Sequence, residues 1–415
     1  MKILFVVPGF FKDRPQTIRF RELLSELIKE SKNDYHILTD EKRDNFKNNN
    51  YGNLSFHVYR TSLLGSFINP NYYTRKKPTS LNKFLPIIRT ILVIISKVFL
   101  FPDLFKIEIR NIKRRIESLI IDYRFELIVL SCSPFSLMEL SSNKVKWKTK
   151  IILDIGDPFT NNSTKYETKN KLIKKTLYEN KYLKYIDSLV VTNGATKKLY
   201  LEKYGYLNAN MIHIIPQGFR TNFLVNESHI KFNTTRKEIR IAYFGKFYKG
   251  LREPFLIYQA ILKFNGNNSS KVYLDLYGNI SAYHLKGVDN NYINYKGLVD
   301  YFEVYTKSLE YDALLLVDNF YGYQTPGKLF EVLSIPIQKL IVYKSKNTPL
   351  FEIISELDLD MVDYNIKDLY NILGRLFDGN LNRHSFESKN IEKYQWGSLA
   401  IDYHKVFNVF SKEQG

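Results

Sequence analysis

Cysteine is almost missing: Cys132 stands alone among 415 residues. An intramolecular disulfide framework is excluded, and a reducing compartment fits. Metal-ligand spacing is missing too, since none of the seven histidines falls in a ligating pattern. The apolar run that follows Lys2 ends at Pro8-Gly9, which is not the pattern of a secretory signal. Acidic residues are scarce beside basic ones, 42 against 61, leaving a net charge of +19. Such a charge suits nucleic acid, anionic lipid or a phosphorylated substrate, or else reflects solvated surface lysine. Lysines 144, 146, 148 and 150 alternate around Trp147, so one face of a strand there would be basic. No helix-turn-helix, RNP or zinc pattern accompanies them, and nucleic acid is not the expected partner.

What is present supports real cores: 44% of residues are hydrophobic and 15% aromatic. A chain of this length defaults to two domains. Ile3 to Val7 is a continuous apolar run, as for a strand buried on both faces of a parallel sheet. Pro8-Gly9 breaks it, a helix-spaced segment follows from Ile18 to Ile28, and Tyr35 to Leu38 is a second strand. Gly9 lets backbone come close to whatever sits above the first strand. The full Gly-x-Gly-x-x-Gly pattern is absent, so a dinucleotide fingerprint is not supported. Strands are expected again at Leu54–Tyr59, Leu127–Leu130, Ile151–Ile155, Ser188–Thr192 and Ile212–Ile215, with helices at Lys106–Ile121 and Tyr166–Tyr185. Asp40 to Gly52 and Thr61 to Lys83 read as loop. A polar stretch from Thr221 to Lys237 marks the domain boundary. The same grammar then restarts, with strands at Arg240–Phe244, Val272–Leu276, Ala313–Val317 and Lys339–Tyr343. The expected architecture is α/β, two Rossmann-like domains facing across a cleft: residues 1–218, residues 219–390, and a final helix in 391–415 that returns to the first domain.

Phe84 to Phe105 is the most hydrophobic window and long enough to raise a membrane span. Arg89 and Lys97 argue against a free span. Two readings stay open: an amphipathic helix lying on a membrane, or a core helix with one polar edge.

Thr325 to Glu331 links the apolar strand at Ala313–Val317 to a short apolar segment, Leu329–Leu333. Pro326 sits where a first-turn proline is tolerated, so the segment reads as a helix start, whose N–H groups and partial charge suit an anion. Lys328 there opposes the helix dipole, which makes sense with an anion between them. Glu331 shares its face and offers acceptors to a sugar diol. The competing reading is an ordinary cap with a surface Lys–Glu pair.

Taken in order, these residues resemble the retaining GT-B glycosyltransferases, in particular the large family 4 group that uses nucleotide-sugar donors. Gln16 to Ile28, with Arg19 in it, resembles the group's first helix. Ser131 to Pro134, then Leu153 to Phe159, resemble its Ser-x-Pro strand end and Asp-Pro-Trp loop. Asp187 to Thr192 with Ile214 to Gly218 resemble the pair of motifs before its linker. Tyr243 to Lys246, Gly250 to Pro254 and Pro326 to Glu331 resemble its donor-site loops. The resemblance implies sugar transfer to a surface-glycan hydroxyl, with Glu331 on the donor ribose and Lys246, Arg252 and Lys328 on the diphosphate. Gly9, Gly245, Pro326 and Gly327 complete the expected donor site, and Asp157 contacts the sugar or acceptor, or caps an Asx turn before Pro158. The competing reading for Arg252 is a surface residue paired with Glu253. No cofactor or metal is expected; the Asp358-Leu359-Asp360 motif comes too late in the chain. The group's Glu-x7-Glu pair would place its first Glu at Tyr323, leaving Gln324 or Asp318 to cover part of that role. The rivals are a nucleotide-sugar epimerase or phosphorylase on the same fold and a catalytically inert partner subunit. A lipid-linked acceptor would require docking from the cytoplasm on the inner face of the membrane, through the first domain.

Overall fold

The computed structural model describes residues 1–41, 54–68, 85–162, 167–220, 236–379 except 287, 290 and 301–302, and 381–382 with 390–411. The polar stretches expected as loop at Asp40–Gly52 and as boundary at Thr221–Lys237 fall mostly outside these residues.

The first half runs β1 (Lys2–Val6), α1 (Pro15–Glu30), β2 (Asp34–Thr39), β3 (Leu54–Val58), α2 (Leu63–Ile68), α3 (Leu85–Phe99), α4 (Ile109–Tyr123), β4 (Leu127–Ser131), α5 (Lys144–Trp147), β5 (Lys150–Ile155), α6 (Lys169–Leu183), β6 (Ser188–Val191), α7 (Gly194–Lys203) and β7 (Ile212–Ile214). The second runs β8 (Glu238–Phe244), α8 (Phe255–Asn267), β9 (Lys271–Tyr277), β10 (Ile293–Gly297), α9 (Val304–Ser308), β11 (Ala313–Val317), α10 (Leu329–Leu333), β12 (Gln338–Tyr343), α11 (Pro349–Glu356), β13 (Val362–Asp363), α12 (Ile366–Arg375) and α13 (Trp396–Ser411).

Each half is one parallel sheet. The first has the order β3-β2-β1-β4-β5-β6-β7, the second β10-β9-β8-β11-β12-β13. Continuous apolar runs form the central strands because both faces are covered. Leu4 and Val6 pack in one apolar cluster while Ile3 and Phe5 pack in the opposite one. The second sheet is covered the same way, with Leu315 and Val317 on one side and Leu314 and Leu316 on the other.

Several local expectations change. Lys144 to Trp147 is a helical turn, not a strand, so the alternating lysines make no basic strand face. A 3-10 turn over Leu104–Glu108 separates α3 from α4. Of the segment expected as loop from Thr61 to Lys83, the first residues hold the short α2, and the rest lies outside the described residues. Helix α3 does not behave as a core helix: from Thr90 to Ser96 none of its side chains is buried, and Ile91, Ile94, Ile95 and Phe99 are all exposed. No helix among the described residues is long and apolar enough to cross a membrane.

The chain crosses between the halves twice, side by side. Phe219 N–H donates to the Tyr394 carbonyl at 3.1 Å, and Trp396 N–H donates to the Phe219 carbonyl at 3.2 Å. Gly218 is required there, since a Cβ would lie 2.8 Å from the Tyr394 carbonyl oxygen. After this crossing α13 packs on α1 beneath the first sheet, with Tyr403 and Phe407 against Phe5. One buried ion pair pins the arrangement. Arg19 Nη1 on α1 meets Asp154 Oδ2 on β5 at 2.7 Å, both side chains 1% exposed. Arg19 Nη2 donates to the Ile215 carbonyl at 2.8 Å, and the Tyr403 hydroxyl donates to the same Asp154 oxygen at 2.9 Å.

Removing one member of a buried pair strands the other charge, which costs about 3–5 kcal/mol. Asp154→Ala should therefore lose stability on that scale, and Tyr403→Phe only about 1 kcal/mol for its hydrogen bond. Urea unfolding followed by circular dichroism measures both; equal effects would contradict this ranking.

Candidate active site

The carboxyl ends of β8, β9 and β11 face the first half across a cavity of about 430 Å³. Its walls bring together Gly245, Lys246, Arg252, Pro326, Gly327, Lys328 and Glu331, with Asp13, Pro15 and Gln217 opposite. A neighbouring cavity of about 540 Å³ shares Arg252, Pro326 and Gly327 and extends into the first half along Arg14, Gln16, Ser133 and Asp157. Residues far apart in the chain, from Asp13 to Glu331, thus converge on one cleft.

The β8 loop is shaped by close backbone approach. Gly278, at φ +129°, lies so near Gly245 that a Cβ would sit 2.0 Å from the Gly245 carbonyl oxygen. Only glycine fits there. The Tyr243 hydroxyl donates to the Lys246 carbonyl at 2.9 Å, and its ring stacks on Phe247 at 4.3 Å, fixing the turn that carries Lys246.

Arg252 is held from behind. Its Nη2 donates to Asn319 Oδ1 at 2.8 Å, while Asn319 Nδ2 donates to the Gln324 carbonyl at 3.0 Å. The Arg252 Nε lies buried with no acceptor among the described residues. Glu253 does not pair with it: Glu253 meets His284 Nε2 at 3.1 Å and accepts from Gly250 N–H. The surface-pair reading of Arg252 is therefore set aside. Burial lowers the Lys328 ammonium below its ordinary value, with Glu331 offsetting part of that. A partly desolvated cation that shares a cavity with a partly buried guanidinium is a setting in which a phosphate gains more than it would in water.

Three expectations need correction. Pro326 does not open the helix: α10 begins at Leu329 with Lys328 at its N-cap, and the Pro326 carbonyl accepts from Leu329 N–H at 3.0 Å. Gly9 lines neither cavity. Its φ of +70° builds a turn closed by Lys12 N–H, and its own N–H donates to Asp40 Oδ1 at 2.5 Å. Asp318 cannot replace the carboxylate missing at Tyr323, because it is fully buried and its carboxylate accepts from Asn319 N–H and the Thr348 hydroxyl. Gln324 does reach the second cavity. Asp157 is exposed on that cavity's wall, apart from the first. The later Asp360 pairs with Arg375 at 2.6 Å.

Residues 13–17 and Gln217 were not expected in the site. Gln217 lies in the Ile-Pro-Gln-Gly stretch, a signal that was available; Asp13 and Arg14 carried none. Asn319 was silent too, since a lone Asn after a strand reads as a turn.

No family model matches the sequence, and a search of curated proteins finds no match. Solved structures do resemble it. Sucrose-phosphate synthase from Thermosynechococcus elongatus superposes with a TM-score of 0.65 at 12% identity, over 100% of both chains. HepE of Anabaena, in complex with UDP and glucose, gives 0.58 at 9% identity, over 98% of this chain and 99% of that one. A UDP-N-acetylglucosamine 2-epimerase gives 0.53 at 12% identity, over 98% of this chain and 97% of that one. These likenesses establish the fold: two Rossmann-like domains in the GT-B arrangement.

Burial pushes the Asp318 carboxyl up from 3.8 to about 7. Between those values the folded state holds a proton that the unfolded state has released, so this group's stabilisation is complete at low pH and lost as pH rises to about 7. Asp318→Asn should flatten that slope. Urea midpoints of both proteins from pH 4 to pH 8, where a parallel dependence would refute the assignment, provide the check.

Proposed function

From the GT-B fold, we propose that this protein is a glycosyltransferase that moves a sugar from a nucleotide-sugar donor to a hydroxyl of a surface glycan, with retention. The observation that carries it is the convergence of Lys246, Arg252, Lys328 and Glu331 on one cavity at the carboxyl ends of the second sheet. Three cations suit a diphosphate, and one carboxylate suits two ribose hydroxyls. In the reaction the bond between the anomeric carbon and the phosphate oxygen breaks as the acceptor oxygen bonds to that carbon from the same face. The acceptor proton passes to the leaving phosphate, whose charge Lys246, Arg252 and Lys328 stabilise. Asp157, in the adjoining cavity, faces the side on which an acceptor enters. No cofactor or metal takes part in this scheme.

Two rivals have their own observations. An epimerase shares this fold over 98% of the chain. An inert partner subunit is favoured by Tyr323, which holds the place of the family's first Glu and whose carbonyl accepts from Asn193 Nδ2 at 2.9 Å and from the Thr196 hydroxyl at 3.1 Å. A panel of UDP-, GDP- and ADP-sugars with lipid-linked acceptors separates all three. Transfer supports the proposal, donor interconversion without acceptor supports the epimerase, and donor binding without turnover supports the inert subunit. Each charge-assisted hydrogen bond to Glu331 is worth about 1.5–3 kcal/mol. Glu331→Gln should therefore raise the donor KM roughly tenfold or more with the fold intact, and an unchanged KM would remove Glu331 from the site.

The acceptor reading brings a membrane with it. Helix α3 exposes Ile91, Ile94, Ile95 and Phe99, and α6 exposes Ile173 and Leu177. Just past the end of α3, the Phe101 ring lies 4.4 Å from Lys174 Nζ of α6. Apolar side chains flanked by lysines suit a peripheral, cytoplasmic contact with anionic lipid, at about 1 kcal/mol per nearby cation. Replacing Ile91, Leu92 and Ile95 with Ser should release the protein from anionic vesicles in a sedimentation assay while circular dichroism stays unchanged. Unfolding of that variant would return α3 to the core.

A further inference from the structure

Beside the cleft lies a third cavity of about 770 Å³, built by both halves. Asn162 lines it and also lines the second cavity, so the two spaces meet at one side chain. Three features set its chemistry. Tyr321 keeps 55% of its surface exposed although it stands in an inter-domain groove. A large ring left in water there offers a flat apolar face with a polar tip. Glu167 lines the cavity with a side chain only 8% exposed. Its Oε1 accepts from Lys175 Nζ, but its Oε2 is buried with no donor among the described residues. A buried carboxylate oxygen without a donor is costly, and a hydroxyl or amine arriving there would relieve it. Finally, Lys198 is the one basic residue among the described lining residues, against three carboxylates: Glu167, Glu202 and Glu352. On a chain of +19 this is a local reversal of sign. It disfavours phosphate and uronate and favours donors of hydrogen bonds.

We propose that this cavity holds the inner sugars of the acceptor, a neutral or amino-bearing oligosaccharide, with Tyr321 stacked on a sugar face and Glu167 Oε2 accepting from a sugar hydroxyl or amine. The proposal rests on the transferase reading and deepens it: the acceptor is an oligosaccharide, not a single sugar. The reacting sugar occupies the second cavity, and the chain leaves past Asn162 into the third. An anionic lipid-carrier group is excluded from this exit and lies elsewhere.

Saturation-transfer NMR on the full-length protein without donor, using malto- and chito-oligosaccharides from mono- to tetrasaccharide and oligogalacturonides of matching length, tests it. Affinity should rise with length for the neutral and amino series and fall for the acidic one. Tyr321→Ala should remove about tenfold of the gain from length, since one stacked ring is worth about that factor. Tyr321 is exposed and outside the donor cavity, so a nucleotide-sugar should raise the Tm of the variant as it does the wild type. Length-independent binding, tighter binding of oligogalacturonides, or an unaltered Tyr321→Ala series overturns the proposal. Wild type that binds no nucleotide-sugar overturns the transferase reading instead, because the glycan titration contains no donor.

Discussion

The buried pair of Arg19 and Asp154 is the constraint on which the rest of the molecule depends. Two charges can sit at 1% exposure only when each is answered, and here the answers come from four places in the chain: α1, β5, the exit of β7 and α13. The pair ties the last helix to the first half, and the chain reaches that helix only after crossing at Gly218 and Gln395. The pair thereby fixes where α13 sits on the first half. A hydrophobic helix end would have packed as well but in more than one register. Directional hydrogen bonds select one.

The cleft inherits an asymmetry from its two walls. The second half contributes cations held rigidly: Arg252 by Asn319, and Lys246 by a turn latched through Tyr243. The first half contributes Arg14 and Asp157, of opposite charge, among neutral polar groups such as Gln16, Ser133 and Thr192. Burial on the cationic wall works in two directions. It weakens the hold of Lys328 on its proton and strengthens that of Asp318, and both changes follow from the cost of charge in a low-dielectric setting.

The surface is equally uneven. A net charge of +19 does not mean a uniform basic coat. Lysines gather beside the exposed apolar faces of α3 and α6, while the groove around Tyr321 is acidic. Two surfaces of one protein thus differ in charge and polarity.

Strands and helices of both sheets were legible along the chain because burial on two faces demands unbroken apolar runs, and Ile3 to Val7 or Ala313 to Val317 can do little else. The glycines at strand ends were legible for a similar local reason. The cationic cluster could be named in advance because the loops that carry Lys246, Arg252, Lys328 and Glu331 resemble the donor-site loops of nucleotide-sugar glycosyltransferases. What no local pattern could decide was which side chain faces which. Gly9 has the same local signal as Gly245 but closes a turn onto Asp40, because its strand end carries a different neighbour. Arg19 is only one residue of a helix-spaced segment and becomes the centre of a buried network only when Asp154 and Tyr403, far along the chain, arrive beside it. Helix α3 was equally suited to core or surface, since its sequence is apolar either way; only the packing left it uncovered. Contacts between distant segments depend on three-dimensional register, and that register is set by tertiary packing.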